Sequence, residues 1–400
     1  MSSNRTREPG APVAAGMVPL SVPNIGGREW EYVKECLDTG WVSSVGPFVE
    51  RFEREFAEAV GAPHAVAVAS GTAALHVALQ LAGVGPDEEV ILPALTFIAP
   101  ANAVRYIGAW PVFLDVDPDI WQLDAGAVRQ FLGTDCRRNA DGSIWNQHTG
   151  RRVRGILPVD ILGHPADLDA LHALAEEYGL ALVEDATESL GARYRGHPVG
   201  SRSMLTGFSF NGNKLLTTGG GGMLVTRDPD LARRARYLTT QAKDDAVEFV
   251  HGAVGYNYRL TNVQAAIVCA QLERLGEFVA IKRRIAEAYT TAWRQIPGIT
   301  AQGEAPWARS ALWLYTVLVD QARYGRSSRE LMAALDADGI QTRPLWQPMH
   351  RSPAHRGSWF AACPVTDRLH AAALSLPCST GLTTAEQGRV IESVRRHLAA

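Results

Sequence analysis

Apolar positions follow two alternating rhythms along this chain. Short runs that are apolar nearly throughout predict buried strands: Ala65 to Ala69, Glu89 to Leu92, Pro111 to Val116, Val153 to Val159, Leu180 to Val183, Leu205 to Phe210 and Met223 to Thr226. Helical spacings lie around and between them. Trp30, Val33 and Leu37 fall on one face of a segment that Gly40 closes. Phe48, Phe52 and Phe56 do the same between Pro47 and Val60, with Glu50–Arg54 and Arg51–Glu55 as i,i+4 pairs and Gly61 at the end. Ala73 to Leu81, Ala101 to Tyr106 and Leu168 to Tyr178 complete the set. Apolar strands alternating with helices predict a parallel sheet covered on both faces.

Downstream the pattern changes. Pro229 to Tyr237 reads as a charged helix. Thr261 and Gln264 have capping-box spacing and open a helix that is apolar nearly all round through Val268, Ala270 and Leu272. Such a helix is expected to be buried at a subunit or domain interface. A long helix with Phe278, Ile281, Ile285, Tyr289 and Trp293 on one face then carries the chain into a second unit. That unit contains a strand from Trp313 to Val319, a helix capped by Ser327 and Glu330, a short strand from Ile340 to Arg343 and a last helix opened by Thr383 and Glu386. The expected organisation is a disordered tail over 1–18, a large domain over 19–275 and a smaller α+β domain over 276–400. Residues 133–152 interrupt the pattern, and the Asp141-Gly142 turn suggests a hairpin there.

Composition narrows the classes. The chain has 400 residues, 46% of them hydrophobic and 20% charged, as in ordinary globular proteins. A net charge of −3 gives no basic field for nucleic acid or an anionic membrane. No apolar run reaches membrane-spanning length, and no signal-peptide core is visible. Five cysteines without a CxxC pair argue against a zinc site or a disulfide framework, and no metal is expected. A reducing, cytoplasmic setting fits that usage.

The candidate chemistry centres on Gly207-Phe208-Ser209-Phe210-Asn211-Gly212-Asn213-Lys214, which precedes four consecutive glycines, Gly219 to Gly222. A lysine that loses hydration at a strand end suits imine formation, and glycines let backbone approach a bulky ligand. From this stretch alone, a surface lysine in a glycine-rich turn reads equally well. In parallel sheets, however, ligands bind beyond the carboxyl ends of the strands. Ser70-Gly71-Thr72, Phe97, Asp185 and Ser209–Lys214 all fall at such ends. An amine, an acid for a pyridinium nitrogen, an aromatic face and a phosphate cradle at a helix N-terminus are what pyridoxal phosphate requires.

These segments resemble a known family. Ser70-Gly71-Thr72-Ala73-Ala74-Leu75, Thr96-Phe97-Ile98-Ala99, Glu184-Asp185-Ala186-Thr187-Glu188-Ser189-Leu190-Gly191, Ser209 to Lys214 and Gly255-Tyr256-Asn257-Tyr258-Arg259-Leu260-Thr261-Asn262 stand in the order of the DegT–DnrJ–StrS nucleotide-sugar aminotransferases. The resemblance implies an α/β fold of the aspartate aminotransferase type (fold type I), with a mostly parallel sheet in a large domain and a small α+β C-terminal domain. Pro23 to Gly27, Thr240-Gln241-Ala242 and the Trp145–Val153 insert resemble the branch that aminates C-4 of UDP-4-keto-6-deoxy-N-acetylhexosamines.

By that resemblance Lys214 is the Schiff-base lysine, and Asp185 pairs with the pyridine nitrogen. Phe97 stacks on the ring. Gly71, Thr72 and Ser209 hold the phosphate, with Asn257 reaching in from the partner of a homodimer. Glu188 stands near the ring hydroxyl where the family often has glutamine, so it must be protonated or find another partner. In the Asp160–His164 segment an aspartate replaces an expected histidine, and His164 is either a pocket or a turn residue. Ser43, Arg259, Arg343 and His350 are candidates for the substrate, the last three for its diphosphate or equally for ion pairs. The implied reaction is ping-pong: L-glutamate donates its amino group, and a nucleotide keto-sugar receives it. Amination of a keto-cyclitol is the alternative. A related sugar dehydratase carries histidine at the lysine position, which Lys214 argues against.

Overall fold

Seven strands form the backbone of the central sheet: β1 (His64–Val68), β2 (Glu89–Pro93), β3 (Trp110–Leu114), β4 (Arg152–Ile156), β5 (Ala181–Asp185), β6 (Leu205–Ser209) and β7 (Gly222–Thr226). They come from a computed structural model that describes residues 16–245 and 247–398. All but β4 are almost wholly buried, which is why their sequences are largely apolar on both faces, whereas β4 alternates partly exposed Arg152 and Arg154 with buried Val153 and Gly155. The order across the sheet is β1-β7-β6-β5-β4-β2-β3. Neighbours from β6 through β5, β4, β2 and β3 are parallel, whereas β7 runs antiparallel between β1 and β6. The sheet is thus mostly parallel, as expected of the large domain, with β7 as the antiparallel exception. The short path from β6 to β7 is the reason, because a return without a crossover helix gives antiparallel pairing.

The hairpin expected within 133–152 is present. Cys136–Arg138 pairs with Ile144–Asn146, which continues the sheet beside β4. Helices cover both faces. Pro47–Val60 buries Phe52 and Phe56 against Phe208 and Phe210 at the sheet, and Phe48 against Tyr32. The helix Asn262–Leu272 carries the capping box read from Thr261 and Gln264. It lies inside the same core as Tyr32, Phe48, Phe52 and Phe210, so contacts within this chain account for its burial.

The first helix, Glu29–Thr39, corrects another expectation. Its buried residues are Glu29, Tyr32 and Cys36, while Trp30 is 76% and Leu37 58% exposed. Trp41, Val42 and Val45 are also exposed. Apolar residues occur on more than one side of this segment, and periodicity alone could not say which side the core takes.

The long helix Leu275–Trp293 leads to a three-stranded antiparallel sheet of Ile299–Ala301, Tyr315–Val319 and Ala373–Leu376. Residues 1–15 of the expected tail lie outside the described residues, but Val18 is buried and pairs with this second unit. Val18 N–H donates to the Gly339 carbonyl at 2.9 Å, and Gln341 N–H donates to the Val18 carbonyl at 2.9 Å. The C-terminal part also returns to the large sheet, where Ala361 N–H donates to Phe113 of β3 and Phe113 N–H to Trp359. Among the described residues no helix is long and apolar enough to cross a membrane, and all five cysteines are free and buried.

Candidate active site

Sheet order decides which sequence segments meet. Because β1, β7, β6 and β5 are consecutive, the chain just after Val68, the start of β7, the end of β6 and the end of β5 form one rim. In the register Gly222 lies between Val68 and Ser209, and Gly207 lies opposite Asp185. A side chain at Gly222 would place its Cβ 2.4 Å from the Ser70 carbonyl carbon and 2.6 Å from the Gly71 nitrogen. The last of the four glycines therefore serves a close approach of two protein backbones, not an approach to a ligand.

A cavity of about 330 Å³ opens at this rim. Gly71, Thr72, Phe97, Asp185, Glu188, Ser209 and Lys214 all line it, so seven residues singled out from the sequence come together. Ser70 is the N-cap of the helix Gly71–Leu81, its hydroxyl accepting from Ala73 N–H at 3.1 Å. The first amides of that helix are left facing the cavity beside Ser209, a ready anion cradle. Gly71 keeps the cradle open, since a Cβ there would fall 2.7 Å from Ser209 Cβ.

Asp185 ends β5 and is 1% exposed. Its Oδ1 accepts from Thr187 N–H at 3.0 Å. Burial pushes its carboxyl up to about 6, against the hydrogen bonds from Thr187 and the attraction of Lys214. Glu188 is also buried, and burial raises its carboxyl while Lys214 pulls it back. Lys214 Nζ donates to Glu188 Oε1 at 3.1 Å, and Leu162 N–H donates to Oε2 at 2.8 Å. Glu188 has thus found the other partner that an acid at this position requires.

Sequence reading missed two tryptophans of the cavity wall. Lys214 Nζ lies 3.8 Å from the centroid of the Trp313 ring, a cation–π contact. Trp313 Nε1 donates to the Asn213 carbonyl at 2.8 Å, and its own carbonyl accepts from buried Lys282 at 2.7 Å. Trp346 stands edge-on to Phe97 with ring centroids 6.5 Å apart. Trp313 opens a strand-like run and Trp346 lies two residues after Pro344, and neither position carries a chemical motif.

The other candidates do not line the cavity. Arg259 donates to Glu53 at 2.6 Å and to the Ala67 carbonyl at 3.0 Å, so within this chain it is the ion-pair reading that the contacts match. Arg343 is exposed and donates to the Thr342 carbonyl. His350 Nε2 lies 3.1 Å from Asp367. The Ser43 carbonyl accepts from Asn262 N–H, and both Ser43 and Asn257 are exposed. His164 is a turn residue: it is 1% exposed, and its Nε2 accepts from Ala305 N–H at 3.0 Å. Asp160 is buried beneath the site, held by the Ser189 hydroxyl at 2.7 Å and Ala166 N–H at 2.9 Å.

The donor set fits pyridoxal phosphate. A glycine-opened helix N-terminus and Ser209 suit a phosphate, and buried Asp185 suits a protonated ring nitrogen. Phe97 offers an aromatic face, and Lys214 offers an amine. Thr96 adds a buried hydroxyl on the cavity wall that has no partner among the described residues.

Comparison with known proteins agrees. A model of the DegT/DnrJ/EryC1/StrS aminotransferase family matches residues 23–395. The chain is 38% identical over 378 residues to a GDP-perosamine synthase of Caulobacter vibrioides, covering 94% of this chain and 97% of that one. It is 37% identical over 377 residues to EpsN of Bacillus subtilis, a putative pyridoxal phosphate-dependent aminotransferase, covering 93% and 94%. Among solved structures, DesV of S. venezuelae in complex with a ketimine intermediate superposes with a TM-score of 0.84 at 34% identity, covering 96% of this chain and 99% of that one.

Proposed function

The chain belongs to the DegT/DnrJ/EryC1/StrS aminotransferase family and is a pyridoxal phosphate-dependent sugar aminotransferase; on that premise we propose that it moves the amino group of L-glutamate to C-4 of a nucleotide-linked 4-keto-6-deoxyhexose. The observation that supports this reading most is the meeting of Lys214, Asp185 and the Gly71–Thr72–Ser209 cradle around one cavity.

The cofactor, when bound, supplies an aldehyde for amines and a ring that accepts the electrons of a breaking C–H bond. The residues supply the rest. The amides of Gly71 and Thr72 and the Ser209 hydroxyl hold the phosphate and fix the ring's register. Asp185 holds the proton on the ring nitrogen, and its place in a water-poor site strengthens that pairing. Phe97 covers a ring face. Lys214 Nζ takes the proton from the α-carbon of glutamate and later delivers one to the sugar carbon. One base serving both halves makes the kinetics ping-pong.

The nucleotide is the open part of the specificity. The similarity to a GDP-perosamine synthase supports a GDP-linked sugar, whereas the Thr240–Ala242, Gly255–Asn262 and Trp145–Val153 runs support a UDP-linked N-acetylhexosamine. We favour the GDP-linked sugar, because that similarity spans nearly the whole of both chains rather than three short runs. A homodimer with shared sites completes the reading. Trp30, Leu37, Trp41, Val42 and Val45 leave a run of large apolar side chains exposed, as an interface would require. Asn257, exposed and absent from its own cavity, is free to reach a partner's cavity.

The test is an amination panel with glutamate as donor: GDP-, UDP- and TDP-linked 4-keto-6-deoxyhexoses and free keto-cyclitols. Conversion of the GDP-linked sugar, abolished in Lys214→Ala, is expected. Efficient amination of a keto-cyclitol with no turnover of any nucleotide sugar overturns the substrate class.

A further inference from the structure

We infer that Glu188 is a positioning residue for Lys214: its carboxylate is the counterion that holds the lysine ammonium at the cavity whenever the amine is not joined to the cofactor. This rests on Lys214 being the amine that reacts.

Three observations carry it. First, the two side chains meet where water is scarce, Lys214 being 12% and Glu188 4% exposed, with Nζ 3.1 Å from Oε1. Second, the carboxylate is anchored independently of the lysine. Its other oxygen takes the Leu162 amide at 2.8 Å. That amide is aimed by a backbone in the left-handed region, φ 62° at Leu162, which a leucine adopts rarely and at a cost. Third, the Trp313 ring lies 3.8 Å from Nζ and is itself pinned by Asn213 and Lys282. The ammonium is thus held between a fixed anion and a fixed aromatic face.

A glutamine would keep the Leu162 hydrogen bond and much of the contact to Nζ. It would not supply charge. The charged groups facing Lys214 are Glu188 from the segment after β5 and Asp185 from the end of β5. The neighbouring turn contributes the Leu162 amide, and its Asp160 is engaged by Ser189 and Ala166. Residue 313 contributes only its ring. Glu188 is therefore the carboxylate that stabilises the charged form of the amine. In cofactor capture the ammonium first releases one proton to solvent. The Nζ lone pair then bonds to the aldehyde carbon, and the carbonyl oxygen leaves as water with the two remaining amine protons.

The test follows cofactor capture by the full-length protein after removal of bound cofactor. Pyridoxal phosphate is added across neutral to alkaline pH, and the absorption band of the lysine-linked cofactor is timed. Capture requires the uncharged amine, so losing the counterion in Glu188→Gln should move the rising limb to lower pH by about one unit, with about tenfold faster capture at neutral pH. Glu188→Asp, which restores the charge, should return the profile toward wild type. A merely structural role predicts unshifted profiles, because glutamine keeps the Leu162 contact. Superimposable profiles for wild type and Glu188→Gln overturn the inference, and so does Glu188→Asp moving together with Glu188→Gln. If Glu188→Gln does not fold, Glu188→Asp decides: a wild-type profile supports the inference, and one displaced to lower pH overturns it. Covalent capture persisting in Lys214→Ala is a separate failure, since it removes the assignment of Lys214 itself.

Discussion

The ammonium of Lys214 rests on the indole of Trp313, 3.8 Å from nitrogen to ring centroid, although the two residues belong to different parts of the chain. A cation held over a ring is worth about 0.5–2 kcal/mol, more when desolvated. The contact steers the amine, so truncation should cost rate in addition to the stability lost with a large buried side chain. Trp313→Ala is expected to slow the glutamate half-reaction about tenfold, whereas Trp313→Phe keeps most of the rate. Stopped-flow bleaching of the cofactor band by glutamate measures both. Equal losses in the two variants would show that indole-specific contacts, not the ring face, matter.

Asp185 ties function to a pH-dependent cost in stability. Its folded-state carboxyl is pushed up to about 6 by burial, while an unfolded aspartate titrates near ~3.9. The folded chain holds that proton more tightly, so the contribution is fully present below about pH 3.9 and is lost as pH rises through about pH 6. Asparagine has no proton to lose. Cofactor-free Asp185→Asn should therefore gain on wild type between those limits, by on the order of 3 kcal/mol at neutral pH. Urea melts at several pH values read this directly. The same variant should turn over orders of magnitude more slowly, because the ring nitrogen loses its acidic partner. A flat stability difference across pH would refute the coupling.

Gly222 tests the rim. Adding a methyl group there drives it onto the Ser70–Gly71 backbone, at 2.4 Å from the Ser70 carbonyl carbon. Backbone cannot swing aside as a flexible side chain can. Gly222→Ala is expected to lose about 1–3 kcal/mol of stability and to weaken cofactor binding, since the cradle amides move with Gly71. Denaturant melts and equilibrium dialysis of the cofactor separate the two effects. Gly220→Ala, where nothing lies closer than 3.7 Å, is the matched control.

Composite sites can be tested by mixing chains. Lys214→Ala and Asn257→Ala chains should each be impaired on their own if the proposed homodimer shares its sites. Mixed dimers of the two should recover part of the activity, because one of the two sites then has both an intact lysine and an intact partner asparagine. Activity no higher than the sum of the separate variants would place Asn257 outside any shared site.

Arg259 should behave as a structural group in the isolated chain. It and Arg236 both contact Glu53, at 2.6 Å each, and Glu53 and Arg259 are largely buried. Arg259→Ala leaves Glu53 with Arg236, its more exposed ion-pair partner, and the Ala67 amide. A stability loss of about 1–3 kcal/mol is expected, less than for a fully orphaned buried charge. A variant that melts like wild type and changes only KM for the sugar nucleotide would restore the substrate reading.

Much of the site was legible in the order of the residues. Strand-end positions are local features: an apolar run that stops at Asp185, or at Ser209 before a polar turn, states its own boundary. Helix starts are local too, and the capping boxes at Thr261, Ser327 and Thr383 form as their spacing predicts. Fold class, cofactor and the seven residues of the cavity could therefore be read before any coordinates, with the family resemblance supplying their roles.

What tertiary structure alone decided is everything that depends on which faces meet. Periodicity located the helix Glu29–Thr39 but not its buried side, because Trp30 and Tyr32 are both apolar enough to face a core. The antiparallel pairing of β7 with β1, the Ser70 backbone against Gly222, and Trp313 under Lys214 each join segments far apart in sequence. Such contacts leave no periodic trace, since neither partner's neighbours need any particular pattern. The partner of Glu188 belongs with them: the sequence determined that an acid stood beside the lysine's site, and only folding brought Leu162 and Lys214 to its two oxygens.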